Sequence, residues 1–372
     1  MATSSRKASR IYFRSKEAIA GTANTYANFE ARSMVVEFPD PTYLREADRG
    51  KLGSGQFGTQ SELQAMFCPV TFKASRLSEV AFLMAYALGT ADTVRTVKSG
   101  VYSHKLIHLA VGTRTLPTFT FEYMGTNVAA CDRLNHCIIN DFQLTFAKGG
   151  NGLVDFTANG FANLHYNNAG VLARNATVDN TSFSGANTAA IASEPLLNYK
   201  ALSLWKGTVE STPLVQANIS FAGLDLTAET ALTAALDQIA ITFNNGITGE
   251  ELLRCGGYGV LNNQERTDPS ITVELQLRKD TDVDALALAD TQFAVELQWL
   301  GHAIGANPER YAMDIFFPVC QVASAKQDSG SPIVQTVPLE VFQDSSAVAM
   351  DTYVQSAISG GYNATLTGGG GD

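Results

Sequence analysis

The sequence is poor in charged residues, and basic residues are the scarcer kind. Only 17% of its 372 residues are charged, and 26 Lys and Arg stand against 36 Asp and Glu, which gives a formal net charge of −10. Proteins that bind nucleic acid tightly need clustered Lys and Arg side chains that contact the phosphates. The composition therefore argues against tight nucleic-acid binding, although it allows nucleic acid to slide past without sticking.

The sequence also has few cysteines and no long apolar run. Its five cysteines are scattered and odd in number, so we interpret them as buried thiols of a protein made in a reducing compartment. The run VAFLMAYALG (residues 80–89) is too short to cross a bilayer. No apolar segment follows the basic start MATSSRKASR, so we expect no signal peptide. These features predict a soluble protein that is assembled in the cytoplasm and has no membrane partner.

Several segments alternate between apolar and polar residues, which is typical of β-strands with one buried face. The clearest is PSITVELQL (269–277), in which the odd positions from 271 onward are apolar and the even ones polar. Two further segments, DIFFPVCQV (314–322) and IVQTVPLEVF (333–342), each contain a proline, which suits an edge strand or a β-bulge. The fold is therefore predicted to be mainly β. The other alternating segments are LPTFTFEYM (116–124), IINDFQLTF (138–146) and FAVELQWLG (293–301).

One stretch, SEVAFLMAYALG (78–89), is apolar on nearly every side and predicts a short buried helix that flanks the strands. Ser78 is expected to be its N-cap, because a hydroxyl can accept a hydrogen bond from the first free N–H groups. Gly89 is expected to end the helix, because glycine adopts the left-handed conformation that closes a last turn.

The second half of the sequence repeats features of the first, which predicts a tandem duplication. FTFEYMGT (119–126) is matched by YKALSLWKGT (199–208), and residues 138–164 are matched by residues 236–261. Each longer copy has an alternating strand, a Gly/Asn turn and a second strand. The alternative to duplication is that these are two unrelated β-hairpins that share common turn residues. The division we predict is an N-terminal arm (1–30), a first β unit (31–192), a second β unit (193–345) and a flexible C-terminal tail (346–372).

The stretch GSGQFG (53–58) has the spacing of a dinucleotide-binding loop. Such a loop requires a buried strand before it and a helix after it. The preceding segment PDPTYLREADRGK (39–51) is too charged for a buried strand, although Thr59 and Glu62 could form the capping box of a short helix. We therefore expect an ordered glycine loop and no nucleotide cofactor.

Motifs for metal binding and catalysis are incomplete. DTDVD (280–284) begins like a calcium loop, but Ala285 and Thr291 occupy the positions of the required Gly and Glu. The segment CDRLNHC (131–137) lacks a second ligand pair at zinc spacing. No serine lies in a G-x-S-x-G motif. No motif identifies a carboxylate pair for glycoside cleavage either, but the sequence does not exclude such a pair. We expect no enzyme activity, no metal and no cofactor.

The ordered features of the chain resemble the tail tube proteins (major tail proteins) of long-tailed bacteriophages. The resemblance lies in RGKLGSGQFGT, SEVAFLMAYALG and YSHKLIHLAVGTRTLPTFTFEYM, and then in FNNGITGEELLRCGGYGV through FPVCQVASAKQDSGSPIVQTVPLEVF. It spans residues 30–344 and consists of order and spacing rather than of one diagnostic motif.

This resemblance implies tail-tube-type β-sandwich or barrel units that stack as rings around an open lumen in the virion. It also implies partners: further copies of the chain, the tape measure protein, the tail terminator and the distal tail protein, with double-stranded DNA passing through. Two duplicated units in each chain would give a trimeric, pseudo-sixfold ring, whereas one unit would require a hexamer. The N-terminal arm and the segment after residue 342 are the expected ring-to-ring contacts.

The polar faces of the alternating strands are the candidates for lining the lumen, because a conduit wall must be solvated and must not hold DNA. The alternative for each of these positions is a solvated outer surface of the tube. Two other functions compete with the tube: a shell or surface-layer protein built from β-sandwiches, and a carbohydrate-binding or hydrolytic β-sandwich. The candidate lumen-facing residues are Gln143, Thr145, Glu274, Gln276, Glu296 and Gln298.

Overall fold

The protein is mainly β, as predicted, with one α-helix among the residues that its computed structural model describes. Among those residues, no helix is both long enough and apolar enough to span a bilayer. The described residues are 11–19, 22–29, 33–36, 42–47, 56–62, 67–90, 92–109, 116–124, 131–149, 152–164, 194–210, 214–221, 225–247, 269–279, 283–284, 286, 291–327 and 332–362.

Six strands precede the helix α1 (Leu77–Leu88), and fourteen follow it within the described ranges. The first six are β1 (Ile11–Ile19), β2 (Thr22–Phe29), β3 (Ser33–Val36), β4 (Thr42–Ala47), β5 (Gln56–Glu62) and β6 (Phe67–Ala74). The others are β7 (Thr93–Lys98), β8 (Val101–Ile107), β9 (Phe119–Met124), β10 (Cys131–Ala147), β11 (Asp155–Leu164), β12 (Leu202–Gly207), β13 (Thr230–Ala231), β14 (Leu236–Asn244), β15 (Ser270–Arg278), β16 (Phe293–Ala303), β17 (Arg310–Val322), β18 (Lys326–Gln327), β19 (Val334–Phe342) and β20 (Asp351–Ser356).

The strands form one connected antiparallel network, apart from the separate pair β4–β5. Neighbouring strands run in the order β3, β6, β11, β10, β14, β15 and β19. The C-terminal part of β17 pairs with β19, while β16 pairs along its other edge and β20 along its N-terminal part. The network continues from β16 to β12 and from β20 to β8.

The pairing β10–β14 joins strands of the two predicted β units, and one apolar core contains residues of both. The predicted duplication is not visible in the described pairings. Strand β9 pairs with β10, whereas its predicted counterpart β12 pairs with β13 and β16. Residues 248–261, which complete the second copy, and the polar segment 165–193 lie outside the described residues.

The core lies on one side of the network, where apolar side chains of adjacent strands stand in rows. Phe142 of β10 stacks on Phe156 of β11 and on Phe243 of β14, with ring centroids 5.7 and 5.5 Å apart. Helix α1 packs on this side with every residue buried, because a helix that is apolar on all sides must be covered on all sides.

The ends of α1 confirm one predicted cap and correct the other. Gly89 ends the helix with a φ of +87° and donates its N–H to the Ala85 carbonyl, as predicted. The N-cap is Arg76, which has no side-chain capping bond, and the predicted cap Ser78 lies inside the helix. The Ser78 N–H donates instead to the Glu194 carboxylate at 3.2 Å, so a distant acid satisfies the first turn.

Both ends of the described chain belong to the network. Strands β1 and β2 lie within the predicted N-terminal arm, and β1 pairs with β9. Strand β20 lies within the predicted flexible tail, yet all six of its residues are buried between β8 and β17. Both faces of β20 carry polar side chains; Tyr353, Gln355 and Ser356 form hydrogen bonds, and Val354 packs in the core. Residues 363–372 lie outside the described part.

The segment around the glycine loop differs from its prediction. Residues 42–47 form β4 although they are charged, and residues 56–62 form β5 rather than a helix with a capping box. The two strands pair as an antiparallel hairpin, and such a hairpin lacks the helix N-terminus on which a dinucleotide loop depends. Residues 53–55 of the glycine stretch lie outside the described residues.

A β-bulge in β17 sets which of its side chains face the core. Phe293 pairs with Cys320 and Val295 with Phe317, so β17 has one extra residue in this interval, at Pro318 and Val319. The bulge agrees with the expectation from the proline. Because of this extra residue, Phe317 and Cys320 both face the core, although they are three positions apart. The residues before Phe317 and after Cys320 face the opposite side of the sheet.

Candidate functional site

The side of the network opposite the core carries a continuous polar surface over four strands, which we call the open polar face. It consists of the outward positions of β11, β10, β14 and β15. Cross-strand pairs place these positions in rows, because directly paired residues point to the same side of a sheet. The face contains Asp155, Thr157, Asn159, Asp141, Gln143, Thr145, Gln238, Ala240, Thr242, Asn244, Ser270, Thr272, Glu274 and Gln276.

Four of the six predicted lumen residues meet on this face. Thr145 of β10 and Glu274 of β15 lie in one row, on either side of Ala240. Gln143 and Gln276 lie in the adjacent rows. Gln143 and Glu274 are exposed, and Thr145 and Gln276 are partly buried. Residues far apart in sequence therefore form one solvated wall.

The open polar face contains three carboxylates, and its basic residues stand at its margins: Arg278 ends β15, and Lys73 of the adjacent β6 pairs with Thr157. Asp155 and Glu274 occupy the same row, and Asp141 lies two rows away. Asp141 accepts hydrogen bonds from Asn159 at 2.7 Å and from Asn140 at 3.3 Å. Desolvation by burial raises the pKa of Asp141, and these two amides partly offset the rise. The wall is acidic, and its polar side chains also bond to one another.

The other two predicted lumen residues, Glu296 and Gln298, occupy a different environment. They lie on β16, on the same side of the network as the open polar face, but their exposed fractions are 0% and 6%. A segment between β12 and β13, residues 214–221 and 225–229, lies over them; we call it the covering segment. These two residues therefore face a buried interior rather than water.

The covering segment is held in place by a second apolar cluster and by hydrogen bonds along its length. Phe221 and Leu226 pack on Ala294, Phe316 and Tyr353 of the underlying strands. The Tyr353 hydroxyl donates to the Leu214 carbonyl at 2.9 Å.

The remaining anchors are polar and come from neighbouring strands. The Gln216 amide donates to the carbonyls of Thr93 and Ser103, both at 2.9 Å. The Gln298 amide donates to the Ser220 carbonyl at 3.4 Å. Apolar contacts and backbone bonds together hold the covering segment in one position over β16 and β17.

Three carboxylates converge beneath the covering segment and form what we call the acidic cluster: Asp225, Glu296 and Asp314. Each offers one oxygen, and these oxygens all lie within 4.8 Å of one another. Glu296 and Asp314 are fully buried, and Asp225 is partly buried. The Glu296 carboxylate accepts the Asp225 N–H at 3.2 Å, which ties the covering segment to β16.

Burial raises the pKa of every acid in the cluster. Desolvation, followed by the nearby charges of Asp225 and Glu229, raises the pKa of Glu296 to about 8. Desolvation and then the charges of Glu296 and Asp225 raise the pKa of Asp314 well above its usual value. Desolvation raises the pKa of Asp225, and the hydrogen bond from the Ser220 N–H lowers it in part.

The charged groups that act on Glu296 and Asp314 are themselves carboxylates, so no described Lys or Arg compensates the cluster. Buried charge of one sign must be neutralised by protons or by a cation. Three carboxylates with oxygens this close are a donor set for a hard cation. No local motif identifies this site in the sequence, because its members come from the covering segment, β16 and β17.

A second buried polar group, around His104 of β8, has the residue types of a nucleophilic triad. His104 Nδ1 lies 3.0 Å from Asp92, and His104 Nε2 lies 3.4 Å from the Ser356 hydroxyl. His104 Nε2 is also 3.0 Å from the Ile358 carbonyl, and Ser356 Oγ accepts bonds from the Ile358 N–H and the Tyr362 hydroxyl.

This arrangement is structural. His104 and Ser356 have exposed fractions of 0%, and the oxygen that would attack a substrate already accepts two hydrogen bonds. The ring of His104 also lies 4.5 Å from that of Tyr362, centroid to centroid. The group anchors the segment after β20 to β8.

Comparison with known proteins adds no family assignment: no protein-family model and no curated protein matches the chain.

Proposed function

We propose that this chain is a virion structural protein that polymerises into stacked rings and forms the hollow tail tube of a long-tailed bacteriophage. The resemblance of residues 30–344 to tail tube proteins motivates the proposal, and the mainly β fold is compatible with it. In this role the chain has no enzyme activity. Its partners are further copies of itself, the tape measure, terminator and distal tail proteins, and passing DNA.

One observation supports a conduit above the other functions: the open polar face is broad, solvated and acidic. A duplex that passes a wall of carboxylates and neutral polar groups meets repulsion and finds no clustered cations to hold it. Gln143, Thr145, Glu274 and Gln276 would line the lumen. A binding protein for DNA would carry the opposite charge on such a surface.

A strand edge without a described partner supports assembly between copies. Among the described strands, β3 pairs with β6 alone, so no described strand covers its other edge. Val35 on this strand is 56% exposed. Natural proteins cover or pair such edges, because an open edge recruits other chains. A neighbouring copy in a ring would cover this edge and bury Val35.

Electron microscopy of the purified full-length chain tests the proposal. We expect hollow rings or rods with threefold or sixfold symmetry. Flat sheets or closed shells would favour the surface-layer alternative, and a monomer at every concentration and ionic strength would overturn assembly altogether.

Thiol accessibility then tests which face lines the lumen. Gln143→Cys lies on the open polar face, and Thr96→Cys on the exposed strand β7 is the matched control. In tubes, a bulky polymer maleimide is expected to label position 96 but not 143, whereas a small maleimide labels both; the unmodified chain gives the background. Equal labelling of position 143 by the bulky reagent in tubes and in monomers would place this face outside.

A further inference from the structure

We propose that the acidic cluster is a calcium site in which the carboxylates of Asp225, Glu296 and Asp314 bind one Ca²⁺ ion. The site is separate from the open polar face and does not depend on tube formation. The ion would join the covering segment to β16 and β17, so it would act as a structural clamp on this part of the sheet.

The spacing of the three carboxylates fits a calcium ion. Their oxygens lie within 4.8 Å of one another. Ca²⁺ binds oxygen ligands at about 2.3–2.6 Å, so two ligands of one ion are at most about 5 Å apart. The donor set contains only oxygen, which disfavours zinc, whose protein sites use Cys and His. Mg²⁺ demands a stricter octahedron and retains its water, whereas Ca²⁺ tolerates irregular ligand sets.

A second observation points to a ligand at this place. Asp314 has an exposed fraction of 0%, and neither of its carboxylate oxygens has a well-formed hydrogen bond within the described part of the chain. The same holds for Glu296 Oε1. A buried carboxylate normally accepts several hydrogen bonds, because its desolvation is otherwise uncompensated. The Gln298 side chain and the Leu226 N–H lower the pKa values of Asp314 and Glu296, respectively, but they do not offset the rise that desolvation causes.

The strand positions explain why an apolar residue would be expected here. Asp314 has Ala312 and Phe316 as its neighbours on the same face of β17, and both pack in the second apolar cluster. Tyr353, the cross-strand partner of Asp314 on β20, is buried beside them. An acid in the middle of such a surface costs stability unless it has a specific partner. A divalent cation supplies that partner to all three acids at once.

Calorimetric titration of the full-length chain with CaCl₂, after treatment with a chelator, tests the site. We expect one Ca²⁺ per chain with a Kd between about 10⁻⁶ and 10⁻³ M. Asp314→Asn and Glu296→Gln are each expected to weaken binding by more than about tenfold, because each removes a charged ligand. Binding also releases protons, so the apparent enthalpy should depend on the buffer, and affinity should fall as the pH is lowered.

Two controls locate the site. Glu274→Gln removes the same charge from the exposed open polar face, and Asp284→Asn removes a carboxylate from the acidic segment 280–284. Both variants should bind Ca²⁺ as the parent does. Loss of binding in Asp284→Asn with retention in Asp314→Asn would overturn the proposal, as would the absence of Ca²⁺ binding by the parent at about 10 mM.

Thermal unfolding tests the site with the parent and Glu296→Gln alone, so it remains informative if Asp314→Asn folds poorly. In chelator, Glu296→Gln should unfold at a higher temperature than the parent at pH 8, because it removes an uncompensated buried charge. In Ca²⁺ the order should reverse, since only the parent gains the ion. If Ca²⁺ leaves the unfolding temperature of the parent unchanged, the clamp does not exist.

Discussion

The pH dependence of stability provides the sharpest test of the buried carboxylates, and Glu296→Gln is the perturbation. The pKa of Glu296 rises from 4.5 to about 8 in the folded protein. Below pH 4.5 the carboxyl is protonated in both states and contributes nothing to the pH dependence. Between these two values the unfolded chain loses its proton while the folded chain keeps it, so the free energy of unfolding falls by about 1.4 kcal/mol per pH unit.

The accumulated loss from this one group is about 5 kcal/mol when the pH has passed about 8. Urea unfolding in chelator between pH 5 and 8 measures it. We expect the parent to lose stability steeply over this window and Glu296→Gln to lose it more slowly, by about 1.4 kcal/mol per pH unit. Glu274→Gln should follow the parent, because water solvates residue 274 in both states. If Glu296→Gln matches the parent in slope, or if the parent gains stability with rising pH, the reasoning fails.

Three further substitutions test single contacts by thermal or urea unfolding. Asn245→Ala removes the amide that donates to the Ala87 carbonyl at 2.7 Å near the end of α1, and should cost about 1–3 kcal/mol. Gly160→Ala places a Cβ 1.9 Å from the Ile138 carbonyl oxygen, so the strands must separate at a cost of about 1–3 kcal/mol or more. Glu194→Gln removes the charge at the N-terminus of α1 and should cost about 0.5–1 kcal/mol. An unchanged stability in any variant would contradict the contact on which it depends.

Much of the strand structure could be predicted because the alternating pattern is a local property of the chain. In β15 the predicted apolar positions include Val273, Leu275 and Leu277, and all three are buried as predicted. Helix α1 and its glycine C-cap follow equally local rules. The helix N-cap could not be predicted in this way, because the group that satisfies Ser78 comes from Glu194, far along the sequence.

The prediction for the lumen residues shows where a local pattern stops being informative. Glu274 and Gln276 of β15 and Glu296 and Gln298 of β16 occur in the same alternation of polar and apolar residues. An alternating pattern tells which side of a sheet a residue faces, and all four face the side away from the core. It does not tell whether a distant segment covers that side. The covering segment makes Glu296 and Gln298 buried, whereas Glu274 stays exposed.

One signal in the sequence could have identified the acidic cluster. Asp314 stands between Ala312 and Phe316 on one face of its strand and between Met313 and Ile315 on the other. A carboxylate with apolar neighbours on both faces is rare in a solvated strand, so it indicates a buried acid with a specific role. Its partners Asp225 and Glu296 cannot be inferred in the same way, because the tertiary fold alone brings them together.

The same side of one sheet thus holds two kinds of acidic site that differ only in their cover. On the open polar face, Asp155 and Glu274 are exposed to water, and the partly buried Asp141 accepts hydrogen bonds from two amides. Under the covering segment, ionisation of Glu296 and Asp314 removes stability, and the loss grows with every proton released. The apolar contacts and hydrogen bonds of the covering segment must offset this loss unless another group neutralises the cluster. Because the pKa of Glu296 is about 8, the Ca²⁺ ion that we propose would take over this neutralisation in mildly basic solution, where protons no longer provide it.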